Sequence, residues 1–119
     1  MAADFRARVP GCLMPFAAEA RWVVWKWVER RDKAGNLRRT KPPFMVRVGR
    51  PCGHARNSDP ATWVDLATAS TAAVHADGLG LQLMGLAGFA AIDLDDVRDE
   101  DGVLLPWTAD LIRRAGSYA

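Results

Sequence analysis

The strongest constraint on the fold comes from residues 21–28, where six of the eight side chains are tryptophan or valine. Aromatic and β-branched residues favour extended backbone, so this segment predicts a β-strand. Side chains two positions apart on a strand share a face, which places Trp25 beside Trp27. Such tryptophans can pack in a core or stack on nucleic-acid bases, and core packing is the more common role. Trp63 is expected in the core.

Proline, glycine and hydrophobic periodicity divide the rest of the chain into short elements. The first half is predicted to contain an irregular segment over residues 1–20, a turn at 32–36, a return strand at 37–39, a strand at 44–48 and a loop at 49–57. A helix then starts at 58–60 and ends before 78, followed by a hairpin with arms at 79–84 and 89–95 and a turn at 85–88. An acidic loop at 97–103 and a helix at 106–114, which Gly116 ends, complete the prediction. This order predicts a mixed α/β fold of the α+β class with largely antiparallel pairing.

Length and composition favour one small globular domain. The chain has 119 residues, half of them apolar and a quarter charged, which is close to the globular average. No apolar run approaches the roughly 18 residues that a membrane span requires, and the N-terminus lacks the apolar region of a signal peptide. We therefore expect a cytoplasmic protein without membrane contact, in which Cys12 and Cys52 are reduced thiols.

Charge is distributed unevenly along the chain. Residues 1–56 contain 13 of the 16 basic side chains and 4 of the 14 acidic ones, a net charge of +9, whereas residues 57–119 have a net charge of −7. A basic half beside an acidic half suggests a polyanion contact next to a carboxylate site. The alternative is that the two halves neutralise each other in the folded protein.

Two carboxylates, Asp93 and Asp95, stand on either side of Leu94. On the predicted hairpin arm they share one face, while Ile92 and Leu94 point toward the core. Paired carboxylates repel unless a cation lies between them, and hard divalent ions prefer oxygen ligands. The pair therefore predicts a metal site, although Asp-x-Asp also occurs in sugar-nucleotide transferases, in calcium loops and on ordinary polar strand ends.

A cluster of cations surrounds Lys41, with Arg38 and Arg39 just before it. Such a cluster can hold a triphosphate or the backbone of a nucleic acid. The alternative is a charged hairpin edge that prevents aggregation.

Taken together, the order of these motifs resembles the N-terminal part of the bifunctional primase–polymerase domain of phages and plasmids, in the archaeo-eukaryotic primase superfamily. The resemblance rests on residues 21–25, 40–44, 57–63, 77–81, 91–96 and 112–118, and it identifies residues 21–119 as the N-terminal part of such a domain.

The resemblance implies a partial RRM-like core with an antiparallel hairpin that carries Asp-x-Asp. Asp93 and Asp95 would be catalytic and bind Mg²⁺ or Mn²⁺, and Lys41, with Arg39 beside it, would contact nucleotide or template. The implied reaction is template-directed nucleotidyl transfer to a 3′-hydroxyl or an initiating nucleotide. Nucleoside triphosphates and a DNA template would be the partners, with a helicase domain in a parent protein of bacterial, phage or plasmid origin.

One departure weakens the enzyme interpretation. The family carries a Ser-x-His motif and a later acidic strand, and this sequence contains no Ser-x-His. We therefore expect a fragment or a remnant that is weak or inactive alone as a polymerase. Two other interpretations stay open: a non-catalytic nucleic-acid-binding module with the same fold, and another Asp-x-Asp transferase, such as one acting on nucleotide sugars.

Overall fold

The computed structural model describes residues 8–116 and confirms a mixed α+β fold with antiparallel sheets. Its strands are β1 (Trp22–Trp25), β2 (Val28–Arg31), β3 (Leu37–Thr40), β4 (Pro43–Arg47), β5 (Arg50–His54) and β6 (Gly78–Leu81), and its α-helices are α1 (Leu66–Ala73) and α2 (Pro106–Ala115). Short 3₁₀ helices lie at Gly11–Phe16 and Pro60–Thr62. The chain divides into two compact units, the first ending at Leu86 and the second beginning at Ala87.

The first unit is built on a four-stranded sheet in the order β5-β4-β1-β6. Strand β1 pairs antiparallel with β4, where Val24 faces Phe44, and with β6, where Val24 faces Leu79. Core side chains cover both faces of β1, which explains why this strand is apolar throughout and does not alternate. Trp22, Val23 and Val24 are all buried.

The two faces of β1 contribute to two separate cores. Trp22 and Val24 pack with Leu66 and with the alanines of α1 on one side. Val23 packs with Ala55 and Trp63 on the other side. Alanines at 69, 72 and 73 are fully buried, and their small side chains let the helix lie close to the sheet. The expected core position of Trp63 is confirmed, although Trp63 follows a 3₁₀ turn instead of lying on the helix.

The predicted strand over residues 21–28 is split into β1 and β2. At the break, the Asp77 backbone N–H donates to the Trp25 carbonyl at 2.9 Å, and the Asp77 side-chain Oδ2 accepts the Trp27 N–H at 2.8 Å. The chain then leaves the main sheet and forms a separate two-stranded ribbon, in which β2 pairs with β3. The turn predicted at residues 32–36 joins the two strands, and the side chain of Asp32 accepts the N–H groups of Ala34 and Asn36.

Further boundaries also differ from the prediction, among them the end of the strand expected at 79–84, which is Leu81. Residues 50–54 were expected in a loop but form β5, an edge strand that tolerates Pro51 because one side of an edge needs no ladder donors. The helix expected from residues 58–60 is only a 3₁₀ turn there. The α-helix starts at Leu66, because Asp65 supplies the N-cap by accepting the Thr68 N–H at 2.8 Å.

The second unit contains α2 and a short acidic loop. Pro106 occupies the first turn of the helix, and Gly116 ends it in the left-handed region at φ 59°, both as predicted. Before the helix, Arg98 and Leu104 form an isolated bridge around a turn. Asp99 stabilises that turn, since its Oδ1 accepts the N–H groups of Asp101 and Val103.

The prediction of a hairpin that carries Asp-x-Asp on its second arm is wrong, because residues 89–95 form no strand. The predicted inward face is not buried there, and the Ile92 side chain is 73 % exposed. Extended backbone without a ladder partner or a buried face has nothing to offset its conformational entropy. Within residues 8–116, no helix is long and apolar enough to cross a membrane.

Candidate nucleic-acid interface

Trp25 and Trp27 form an edge-to-face pair on the surface of the first unit. Their ring centroids are 5.3 Å apart and the ring planes meet at 85°, a favourable arrangement for aromatic rings. Trp27 is 40 % exposed and Trp25 is half-buried. The sequence therefore predicted correctly that they lie together, and the exposure of Trp27 separates it from the core tryptophans.

The backbone around the pair is held on both sides. Asp77 bonds to the backbone of Trp25 and of Trp27, as described above. The next residue, Gly78, lies directly against the Trp25 indole, where an added Cβ would come within 2.5 Å of the ring nitrogen. A glycine is needed at this position because any side chain would push the indole away.

Arg39 and Lys41, the two predicted binding residues of the basic cluster, both lie against these rings. The Arg39 guanidinium carbon is 4.1 Å from the Trp27 ring centroid. The Lys41 ammonium is 5.3 Å from the Trp25 ring and 5.5 Å from the Trp27 ring. These distances are those of cation–π contacts. We call Trp25, Trp27, Arg39 and Lys41 the aromatic-basic surface.

The ribbon beside this surface is strongly basic. Residues 26–41 contain seven basic and two acidic side chains, and Arg30 stands directly opposite Arg38 across the ladder. Like charges in that position destabilise a sheet. The Asp32 carboxylate offsets part of this positive charge, because it lies 3.0 Å from the Arg38 guanidinium. Hydrogen bonds from the Asn36 backbone N–H and from Arg38 hold the pKa of the Asp32 carboxyl below its ordinary value. The positive charge that remains on the ribbon favours an anionic ligand.

An open cleft of about 260 Å³ adjoins the aromatic-basic surface. Trp25 and Lys41 line one part of it, and the amide side chains of Asn57 and Gln82 line another. Gln82 Nε2 donates to Asn57 Oδ1 at 3.0 Å. The sequence assigned these two amides no role, because single polar residues 25 positions apart form no recognisable pattern.

The predicted metal pair, Asp93 and Asp95, lies in the second unit. Both side chains are exposed, in a segment without a strand, so the common face expected from strand geometry is absent. Two carboxylates are suitable donors for Mg²⁺ or Mn²⁺. Within residues 8–116, however, no group of three or more histidine, cysteine, aspartate or glutamate side chains is close enough to hold a metal ion together.

Comparisons with known proteins add no family assignment. No protein-family model matches the chain, and neither a curated protein nor a solved structure does. The resemblance to primase–polymerase domains therefore stays a prediction. Part of the last stretch that carries it, residues 117 and 118, lies outside the described residues, as do residues 1–7 of the expected irregular segment.

Proposed function

We propose that the first unit binds single-stranded nucleic acid across the aromatic-basic surface. The observation that supports this most strongly is the exposed Trp27 ring, contacted by the guanidinium of Arg39 and the ammonium of Lys41. Single strands are bound by grooves and surfaces that combine cations for the phosphates with planar groups for the bases. The aromatic-basic surface offers both within a few ångströms.

Single strands suit this surface better than duplexes for a physical reason. The bases of a duplex are stacked on each other and their faces are not accessible, whereas a single strand can place a base on the indole or the guanidinium plane. Each such stack contributes about 1–3 kcal/mol to binding and tolerates any base. The ribbon cations, Lys26, Arg30 and Lys33 among them, would add a salt-dependent contribution along the phosphates.

The competing explanation is that Arg39 merely covers Trp27 for solubility. An oligonucleotide-binding experiment separates the two, using fluorescence anisotropy of a labelled oligo-dT at several salt concentrations. We expect Trp27→Ala to weaken binding about tenfold or more, from the loss of one stack, with little change in the free energy of unfolding. Lys41→Ala should weaken binding and reduce the slope of log affinity against log salt by about one.

The chain offers matched controls for both variants. Trp107 on α2 is 56 % exposed, so Trp107→Ala removes an exposed tryptophan of the same size. Arg114→Ala removes a cation that, among residues 8–116, pairs only with Asp110, at 3.7 Å. Both controls should bind as the wild type does. Equal affinity of Trp27→Ala and wild type, or equal losses in the controls, would refute the proposal.

A second candidate function is the metal-dependent nucleotidyl transfer that the resemblance implies, with residues 21–119 as the N-terminal part of a domain with a partial RRM-like core. The feature that favours it is the pair of accessible carboxylates at Asp93 and Asp95. In this proposal the two side chains hold Mg²⁺ or Mn²⁺ in the presence of nucleotide. A hydroxyl oxygen would bond to the α-phosphorus and release its proton to water, while the bond from that phosphorus to the bridging oxygen breaks and pyrophosphate leaves.

Metal binding can be tested apart from catalysis. Mn²⁺ broadens NMR signals of nearby nuclei, so a titration should broaden the backbone signals of Asp93 to Asp95 first. The double variant Asp93→Asn with Asp95→Asn should lose that broadening, whereas Asp99→Asn should retain it. Absence of selective broadening with nucleoside triphosphate present would rule out this candidate for the chain, and Mn²⁺-supported primer extension would contradict the expected weak activity.

A further inference from the structure

The cleft beside Trp25 contains a pair of side-chain amides that the surface proposal does not use. Asn57 and Gln82 share one hydrogen bond of 3.0 Å. Their remaining side-chain polar groups are Gln82 Oε1, which accepts, and Asn57 Nδ2, which donates. Neither group has another hydrogen-bond partner within residues 8–116. The cleft therefore presents an acceptor and a donor next to an indole ring.

The backbone on both sides of the amide pair is fixed. The Gln82 backbone N–H donates to the Arg21 carbonyl at 2.8 Å, and the Arg21 guanidinium donates to the Met84 carbonyl at 2.7 Å. On the other side, the carbonyl of Arg56, the residue before Asn57, accepts the indole N–H of buried Trp63 at 2.8 Å. Groups held in this way lose less conformational entropy when a ligand binds than groups on a free loop lose.

The shape and chemistry of the cleft match a planar heterocycle with a charged substituent. Its volume is about 260 Å³ and it is open to solvent. Trp25 supplies a ring for stacking, the amides supply hydrogen bonds to an edge, and Lys41 supplies a positive charge. Gly80 also lines the cleft, and a Cβ there would crowd Val23 at 3.0 Å. Nucleobases carry adjacent hydrogen-bond donors and acceptors on their edges.

We propose that this cleft binds one nucleobase of the strand, stacked by Trp25 and hydrogen-bonded at its edge by Asn57 and Gln82, with its phosphate near Lys41. The inference rests on the proposed function and adds the class of group that is recognised. Trp27 and Arg39 would stack on any base, whereas the amide pair would form hydrogen bonds with the edge of one base.

The test uses ¹H–¹⁵N NMR of the full chain, with adenosine monophosphate and ribose 5-phosphate as probes. Adenosine monophosphate should shift the side-chain NH₂ signals of Asn57 and Gln82 and the indole N–H of Trp25, all with one saturable Kd. Ribose 5-phosphate, which lacks the base, should leave the amide signals in place. Gln82→Leu and Asn57→Leu should each raise the Kd about tenfold, the effect of one lost hydrogen bond.

Asn36→Leu provides a matched control, since Asn36 lies in the turn of the ribbon and this variant should keep the wild-type Kd. Gln82→Glu keeps the shape of the side chain and covers the case in which a leucine variant fails to fold, and it should also raise the Kd. Unmoved amide signals at saturating adenosine monophosphate would overturn the cleft proposal. If oligo-dT binding still depended on Trp27, the surface proposal would stand, and if that dependence were also absent, both would fall.

Discussion

The backbone at Trp27 and the backbone at Asp93 are held very differently, although each carries candidate functional side chains. Around Trp27, Asp77 accepts the backbone N–H, and Arg39 and Lys41 contact the ring. Around Asp93, the chain forms no strand, and the neighbouring Ile92 side chain is 73 % exposed. The comparison teaches that an alternating pattern builds a site only where a second segment pairs with it and covers its apolar face.

The largest effect should come from removing a side chain on which the first region depends. Leu66 is fully buried between α1 and the sheet, so Leu66→Ala leaves a cavity and should cost about 2–5 kcal/mol of unfolding free energy. Ile92→Ala should cost less than about 0.5 kcal/mol. Urea denaturation followed by tryptophan fluorescence measures both. Comparable losses in the two variants would mean that residues 89–95 are packed after all.

A smaller effect is expected at Gly78, which lies against Trp25. A Cβ at this position meets the indole at 2.5–2.7 Å, so Gly78→Ala should cost about 1–3 kcal/mol through overpacking and should also weaken oligonucleotide binding by displacing the ring. Gly11→Ala is the control, because nothing lies within 4 Å of its added Cβ. Differential scanning calorimetry and anisotropy measure the two consequences. An unchanged Tm would show that the indole is free to move aside.

The smallest effect concerns the helix cap at Asp65. Hydrogen bonds from the hydroxyl and backbone N–H of Thr68 hold the pKa of the Asp65 carboxyl below its ordinary value. This stabilisation is therefore present above the unfolded pKa and is lost as the pH falls through the lower folded pKa. Asp65→Ala should cost about 1 kcal/mol at neutral pH.

The pH dependence separates the charge of this cap from its hydrogen bonds. Asp65→Asn keeps a good N-cap that does not titrate, so its unfolding free energy should fall less between pH 4 and pH 2 than that of the wild type. Asp32, whose pKa is also lowered, still titrates in this variant and leaves a residual slope. Identical profiles for Asp65→Asn and wild type would show that the cap bond does not favour the carboxylate.

Much of the first unit could be predicted because its signals are local. Trp22–Trp25 is extended because of its residue types, and the turn before Leu37 follows from an aspartate, a glycine and an asparagine in close succession. The end of α2 follows from Gly116. Edge strand β5 could not be predicted, because Pro51 and Gly53 disfavour a strand and only pairing with β4 compensates for them.

The candidate site was predictable only in part. Arg39 and Lys41 stood out as a cluster of cations, and Trp25 and Trp27 as a pair on one face. That the cations lie against these rings depends on the ladder of β2 with β3, in which Glu29 faces Arg39. Asn57 and Gln82 come from two distant loops and meet through tertiary hydrogen bonds.

The sequence by itself determined the α+β class, the strand character around Trp22 and the accumulation of positive charge in residues 1–56, since residue type and near spacing carry these properties. Tertiary structure decided whether residues 50–54 and 89–95 became strands, and which polar groups met. The physical reason is that a strand is stable only with a hydrogen-bonded partner and a buried face. The Asp77 carboxylate accepts the backbone N–H of Trp27, where the chain leaves the main sheet, whereas residues 89–95 acquired neither a partner strand nor a buried face at Ile92.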